Sequence, residues 1–438
     1  MMADSLVQLE FDKVVDLVAG KTQTPYGRAL AAQLAPFAER SLVADALQEA
    51  WEARQLILEE GPLPLGSGID LLPHLEHLQV EGLRLDPEVL RDVQAALEAA
   101  TESRQALLAS EVCPRLQSFA RQLTPFPELA AEIRRTIGPR AEILDSASFE
   151  LAGLRDSLKA ERNRVKRQLE RLLQDEGLQG VFQESLVTDR NGRYVLPVKA
   201  DHSGRLKGFV HDVSASGQTL YVEPAITLES NNRVQTLLHG IAREIERILA
   251  SLTARVREVR QPLADNQGIM ARLDLRQAVA RLTIELDAVV PELVDEPCLA
   301  LHDARHPLLV VAGQQQEGAP AVVPIDLRLP EQCHTLIISG PNTGGKTVAL
   351  KTAGLLVLMV RAGLPIPCAP GSQLFLFAPV MADIGDEQSI EQSRSTFSGH
   401  LLHLQKILER ADCKTLVLMD ELGTGTDPGE GSALLSLI

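Results

Sequence analysis

The segment Gly340-Pro341-Asn342-Thr343-Gly344-Gly345-Lys346-Thr347 constrains this chain more than any other. It has the spacing G-x-x-x-x-G-K-[ST], and its flanks are those the spacing requires. The apolar run Leu336-Ile337-Ile338 leads in as a strand, and Val348–Met359 leads out as a helix. Glycines let the backbone curl until its N–H groups converge, and the start of the helix adds partial positive charge at the same spot. Such a loop cradles the phosphates of a nucleotide, so ATP and Mg²⁺ are the expected ligands. Lys346 would reach the β- and γ-phosphates, and the Thr347 hydroxyl would ligate Mg²⁺. A chance glycine turn explains the pattern but not the strand and helix around it.

The second half of such a site follows downstream. Leu416-Val417-Leu418-Met419 is an apolar strand that ends in Asp420-Glu421. Buried, unpaired carboxylates are costly, so two of them at the end of a core strand point to chemistry. Asp420 would support Mg²⁺, and Glu421 would be the general base that polarises the attacking water. Around these motifs, short apolar runs alternate with helical ones from about Leu299: Pro307–Val311, Thr335–Ser339, Thr347–Arg361 and Thr415–Asp420. That alternation predicts a mostly parallel sheet covered by helices.

Upstream, the composition changes the expected architecture. Only 3% of residues are aromatic, while Ala, Leu, Arg and Glu abound, which favours long helices. Residues 1–140 read as short amphipathic helices broken at Gly61-Pro62, Pro64, Pro73, Pro87 and Pro114. A first long helix is expected from about Ser146 to Glu176, with Leu151, Leu154, Leu158, Val165, Leu169 and Leu172 on one stripe. A second runs from about Asn231 to Arg260. Its apolar positions Val234, Leu238, Ile241, Ile245, Ile248, Leu252, Val256 and Val259 step by threes and fours, as a coiled-coil seam does. Between them, Arg193–Val198, Gly208–Val213 and Thr219–Glu223 read as strands, with turns at Asn191-Gly192 and Ser203-Gly204. The expected domains are a helical N-terminal core (1–140), arms with a β tip (141–262), a helical return to the core (263–298) and an ATPase domain of ABC type (299–438).

Charge separates these regions. The whole chain carries a formal net charge of −16, which argues against wholesale coating of nucleic acid. Residues 141–262 hold 18 basic and 17 acidic side chains, so a local basic face is possible there. On the first arm, Arg155, Lys159, Arg162, Arg164, Lys166, Arg167 and Arg171 face only Asp156, Glu161 and Glu170. The tip adds Arg190, Arg193, Lys199, Arg205 and Lys207. Contacts of this kind with phosphates give sequence-independent, salt-sensitive binding; a solvated helix face is the plainer reading. Tyr194 and Tyr221 could stack on bases or sit in a core. The five cysteines are scattered singly and read as incidental thiols. His400 and His403 lie three apart without a third ligand near in sequence, so surface or packing roles are expected. No apolar run has the length of a membrane span and no basic-then-apolar segment opens the chain, so the expected address is cytoplasmic.

Several longer strings resemble the MutS family: GPNTGGKT, Asp383–Leu401 (DIGDEQSIEQSRSTFSGHL), Asp420–Gly431 (DELGTGTDPGEG) and Arg305-His306-Pro307. NTGGKT and DELGTGTDP are similar to the second, non-mismatch-repair branch, whose full-length members end in a small MutS-related nuclease domain. GRYVLPVKA (Gly192–Ala200) and HDVSASGQTLYVEP (His211–Pro224) carry the resemblance upstream. It implies that the arms and β tip are a lever and clamp on nucleic acid, either branched or recombining DNA or the RNA of stalled, collided ribosomes. It also implies a homodimer that sandwiches ATP, with Ser395 approaching the γ-phosphate held by the partner copy. Taken alone, Arg394-Ser395-Thr396 reads as a polar loop. The family's switch histidine, dimerising helices and nuclease domain do not follow Gly431. The expectation is therefore a fragment that binds ATP, hydrolyses it poorly and does not cut nucleic acid. The competing readings are an SMC-like structural chromosome ATPase, disfavoured because short arms precede the loop, and a small-molecule kinase, disfavoured by the arms.

Overall fold

The computed structural model describes residues 3–66, 68–80, 82–315, 321–330, 332–341, 344–384 and 404–420. The helices in the first 140 residues are α1 (Ala3–Gln8), α2 (Phe11–Gly20), α3 (Pro25–Ala31), α4 (Arg40–Glu59), α5 (Leu72–His77), α6 (Pro87–Ala109), α7 (Gln117–Gln122) and α8 (Pro127–Thr136). Of the expected breaks, Pro73 and Pro87 open helices, as Pro25 and Pro127 do, in first turns where a missing N–H costs nothing. They are not all short, however. α4 has 20 residues and α6 has 23, because between the prolines nothing interrupts a run of good helix formers. The chain divides into two compact units, residues 1–70, 96–125 and 261–438 in one and residues 71–95 and 126–260 in the other.

In the second unit the two long helices are α9 (Phe149–Leu173) and α10 (Leu228–Glu258). They run antiparallel: the Ser148 hydroxyl donates to Glu244 Oε1 at 2.7 Å, and one turn further Leu154 faces Gly240. Both apolar stripes turn inward, with Leu151, Leu158, Val165 and Leu169 buried on α9 and Val234, Ile248, Leu252 and Val256 buried on α10. Between them in sequence, β1 (Thr188–Arg190), β2 (Arg193–Lys199), β3 (Gly208–Val213) and β4 (Thr219–Pro224) form one antiparallel sheet in the order β1-β2-β4-β3. Its inner face packs Leu196, Val198 and Val222 against Val165, Leu169 and Val234 of the helices.

The first unit continues through α11 (Arg260–Glu285), β5 (Glu292–Val294), β6 (Leu299–Ala304), α12 (Pro307–Gln315), β7 (Ile325–Leu329), α13 (Lys346–Arg361), β8 (Gln373–Phe375), β9 (Val380–Asp383) and β10 (Leu416–Met419). Its main core joins the ends of the sequence: Leu9, Phe11, Val14 and Val18 pack with the apolar turns of α13 and with Leu416 and Leu418. Two of the sequence expectations fail here. Pro307–Val311 forms the first turns of α12 rather than an extended run. The strands are also mixed rather than mostly parallel: β9–β10 and β5–β8 are parallel, while β6 is antiparallel to both β7 and β8. Apolar content makes a run buried but does not set the direction of its neighbour. Among the described residues, no helix is long and apolar enough to cross a membrane.

Candidate nucleotide-binding site

The helix that follows the glycine loop begins at Lys346, two residues before the expected Val348. Gly345 caps α13 with φ 79°, a left-handed conformation that only glycine takes without strain. The Gly344 N–H donates to the Pro341 carbonyl at 2.9 Å and closes the turn before it. Lys346 is the first residue of α13, and its Nζ donates to the Gly340 carbonyl at 2.6 Å, so the ammonium lies over the loop. The strand expected at Leu336–Ile338 does not form. These residues pair with no described strand, and Ile337 is 84% exposed. A strand exists only through a neighbour's hydrogen bonds, which its own composition cannot supply.

The two halves of the predicted site meet. The Thr347 hydroxyl, in the first turn of α13, donates a short hydrogen bond to Asp420 Oδ2 at the end of β10. Gly354 explains how helix and strand come so close: a Cβ there would lie 2.4 Å from Leu418 Cδ1 and 2.8 Å from a Leu9 methyl. Parallel pairing of β9 and β10 also sets Met419 beside Asp383, and the Asp420 N–H donates to the Asp383 carbonyl at 3.0 Å. Asp383, at the end of the apolar run Val380-Met381-Ala382, therefore stands at the same sheet end as Asp420. Sequence reading passed over it, although a carboxylate ending an apolar strand is the same signal that marked Asp420. Thr347 and Asp420 supply hard oxygen donors, the set that suits Mg²⁺. Asn342, Thr343, Ser395, His400, His403 and Glu421 lie outside the described residues.

Beside the loop, a cavity of about 610 Å³ opens between α12, the approach to β7 and the first turns of α13, with Gly344 and Gly345 on its wall. His306, from the Arg-His-Pro string, lines it and is buried. Burial pushes its imidazolium below the ordinary histidine range; the nearby Glu10 opposes that shift, and Lys351 and Lys13 add to it.

On the second unit, the cations separate into exposed and engaged groups. Lys159, Arg162, Arg164, Lys166, Arg167 and Arg171 are exposed along α9. Arg155 instead pairs with Asp145 and donates to the Ile143 carbonyl at 2.8 Å. Arg193, counted in sequence as a surface charge, donates to both oxygens of Glu223 at 2.8 and 2.9 Å, and Glu223 is fully buried. His211 and Asn231 complete the shell of that carboxylate. A buried anion needs such partners, and its strand position does not reveal them. Arg190 stacks 4.0 Å over the Tyr221 ring and pairs with Asp212, so that aromatic face is already occupied. Tyr194 is half-buried against the tip core, under Lys166. All five cysteines are free, and Cys113 and Cys368 are buried.

Residues 336–437 match the model of MutS domain V. Along its full length the chain is similar to the Endonuclease MutS2 of Thermomicrobium roseum, with 45% identity over 100% of this chain and 56% of that protein. The Endonuclease MutS2 of Symbiobacterium thermophilum is 42% identical over 98% of this chain and 53% of its own length. That of Pelotomaculum thermopropionicum is 42% identical over 99% and 54%. The chain thus spans about half the length of the curated relatives it matches.

Proposed function

This chain belongs to the MutS family, on the branch of the MutS2 relatives above, and from that premise we propose that its first unit binds and hydrolyses ATP and that its second unit grips nucleic acid. The observation that carries the nucleotide reading is the meeting of Thr347 and Asp420, two residues 73 positions apart whose oxygens both suit one Mg²⁺. The N–H groups of the loop and the start of α13 orient the phosphates, and Lys346 swings from the Gly340 carbonyl to the β- and γ-phosphates. Thr347 and Asp420 would hold Mg²⁺, which supplies charge neutralisation across the phosphates. Glu421 takes the proton of the attacking water, and Ser395 of a second copy contacts the γ-phosphate across a homodimer. The cavity beside Gly344 and Gly345 receives the base and sugar.

The exposed cations of α9 support the nucleic-acid reading. The α9–α10 pair acts as a coiled-coil-like arm and the four-stranded sheet as a clamp, with the backbone of branched DNA or of ribosomal RNA as cargo. A nucleic-acid cargo fits the name endonuclease that the relatives carry. The cytoplasm is the matching address. An SMC-like chromosome ATPase is the second reading, but the similarity of this whole chain to about half of each MutS2 protein weighs against it.

Calorimetric titration of ATP with Mg²⁺ tests the nucleotide site. Wild type should bind, Lys346→Ala should bind at least about tenfold more weakly, and Asp420→Asn should lose the dependence on Mg²⁺. Equal affinity in wild type and Lys346→Ala would remove the loop from consideration.

A further inference from the structure

The strings Gly192–Ala200 and His211–Pro224 take no part in the phosphate chemistry, and the fold gives them another use. Glu223, on β4, is fully buried and is held from three other elements. Arg193 of β2 donates to both of its oxygens at 2.8 and 2.9 Å, and His211 of β3 bonds Oε2. The Asn231 amide, on α10, donates to Oε1 at 2.8 Å. The first turns of α10 then grip the start of β2 a second time. Asn231 accepts from the Tyr194 N–H at 3.1 Å and donates to the Tyr194 carbonyl at 3.0 Å. Asn232 accepts from Arg193 at 2.6 Å, and Gln235 donates to the Gly192 carbonyl.

Two kinds of contact thus hold the sheet on the helices. The apolar packing of Leu196, Val198 and Val222 is non-directional and tolerates a sideways slip. The cluster around Glu223 is directional: a slip of about 1 Å stretches its bonds out of range and leaves a buried charge unpaired. A buried ion pair adds little net stability over apolar groups of the same volume, so stability alone does not call for one here. We propose that Glu223 is a positioning residue. With Arg193, His211 and Asn231 it fixes the angle of the four-stranded sheet on α10, so that sheet and arm move as one body. Resting on the nucleic-acid reading above, the fixed angle keeps Arg205 and Lys207, exposed beside β3, at a constant distance from the exposed cations of α9. Phosphates along a backbone are regularly spaced, and a grip on several of them at once needs that constancy.

The test separates position from stability. Glu223→Gln keeps the shape and removes the charge. The double variant Arg193→Met with Glu223→Leu fills the same space with apolar groups, while Asn231 keeps its bonds to Tyr194. In the full chain, amide hydrogen exchange reads the sheet, urea denaturation reads stability, and titration with a short DNA duplex reads the cargo. Glu223→Gln should lower the urea midpoint and speed exchange in β2 and β4. The double variant should unfold at the wild-type midpoint or above it. It should still exchange the amides of β2 and β4 at least about tenfold faster, with those of α9 unchanged, and bind the duplex about tenfold more weakly. Asn232→Ala, at an exposed position, should speed the same exchange about fivefold, and it carries the test if neither of the others folds. Wild-type exchange in a stable double variant would overturn the proposal, because packing would then set the angle. Faster exchange with wild-type affinity for the duplex would overturn the use of that angle in gripping the cargo. Faster exchange in a chain whose wild type binds no duplex would confirm the positioning role and overturn the nucleic-acid reading instead.

Discussion

At Gly354 the packing leaves no room for a methyl group between α13, Leu418 and Leu9. Gly354→Ala should therefore cost about 1–3 kcal/mol as neighbouring side chains leave their rotamers. It should also weaken Mg²⁺-dependent ATP binding, because it pries the Thr347 turn away from Asp420. Urea denaturation alongside an ATP titration measures both, and a variant as stable as wild type would show that the contact relaxes at no cost. Glu421 calls for the opposite signature. Glu421→Gln should keep ATP affinity and slow hydrolysis by about 10²-fold or more, since it removes a base and no phosphate contact. Turnover at the wild-type rate would give that role to another group. The meeting of Thr347 with Asp420 beside the glycine turn was legible because each residue stands in a short string that carries its chemistry. Gly354, His306 and the buried partners of Glu223 were not. Their meaning lies in atoms that approach from elsewhere in the chain.

Helix pairing in the second unit rests on an ion cluster as well as on its apolar stripe. Arg247 donates to Glu244 at 2.7 and 2.8 Å, and the Ser148 hydroxyl adds a third bond. These bonds, Arg247's first, hold the Glu244 carboxyl at about 2 against an ordinary 4.5, although its burial works the other way. The folded state thus keeps the carboxylate charged to lower pH than the unfolded chain does. The stabilisation is complete above about pH 4.5 and is lost as the pH falls toward 2. Melting temperatures across that range should fall more steeply for wild type than for Glu244→Gln, and parallel curves would show that the cluster contributes nothing. The exposed face of α9 makes a separate prediction. Reversing Lys159, Arg162 and Arg171 to Glu should weaken binding to duplex DNA and lower the slope of log affinity against log salt by about 1 per lost phosphate contact. Binding with an unchanged slope would leave that face a solvated surface.

Across the molecule, the first unit is built from three separate stretches of sequence, and its core depends on the earliest of them. Leu9 is fully buried against α13, so Leu9→Ala should cost about 2–5 kcal/mol and weaken ATP binding, although the residue lies more than 300 positions from the loop. Denaturation midpoints with and without ATP give both values; full stability would mean that the N-terminal helices dock without supporting the core. A second tie in this unit is the buried Asp274 carboxylate. It accepts from the Gln23 and Thr24 N–H groups and the Thr24 hydroxyl at the start of α3, and it touches Gly27, where no Cβ would fit.

The sequence by itself determined the glycine turn before α13, the helix that follows it, the two long helices with their inward stripes, and three of the four strands of the small sheet. Each of these rests on residues within a few turns of one another: glycines that permit a left-handed backbone, apolar steps of three and four, and alternation between turns. Tertiary structure alone decided which strands run parallel, that Leu336–Ile338 stays unpaired among the described residues, and that Pro307–Val311 coils into a helix. It also decided which cations of the second unit are spent on buried carboxylates and which stay exposed. The physical reason is that hydrogen bonds between strands, ion pairs around a buried charge and contacts at a missing Cβ join positions tens to hundreds of residues apart. No local pattern records the distance between them.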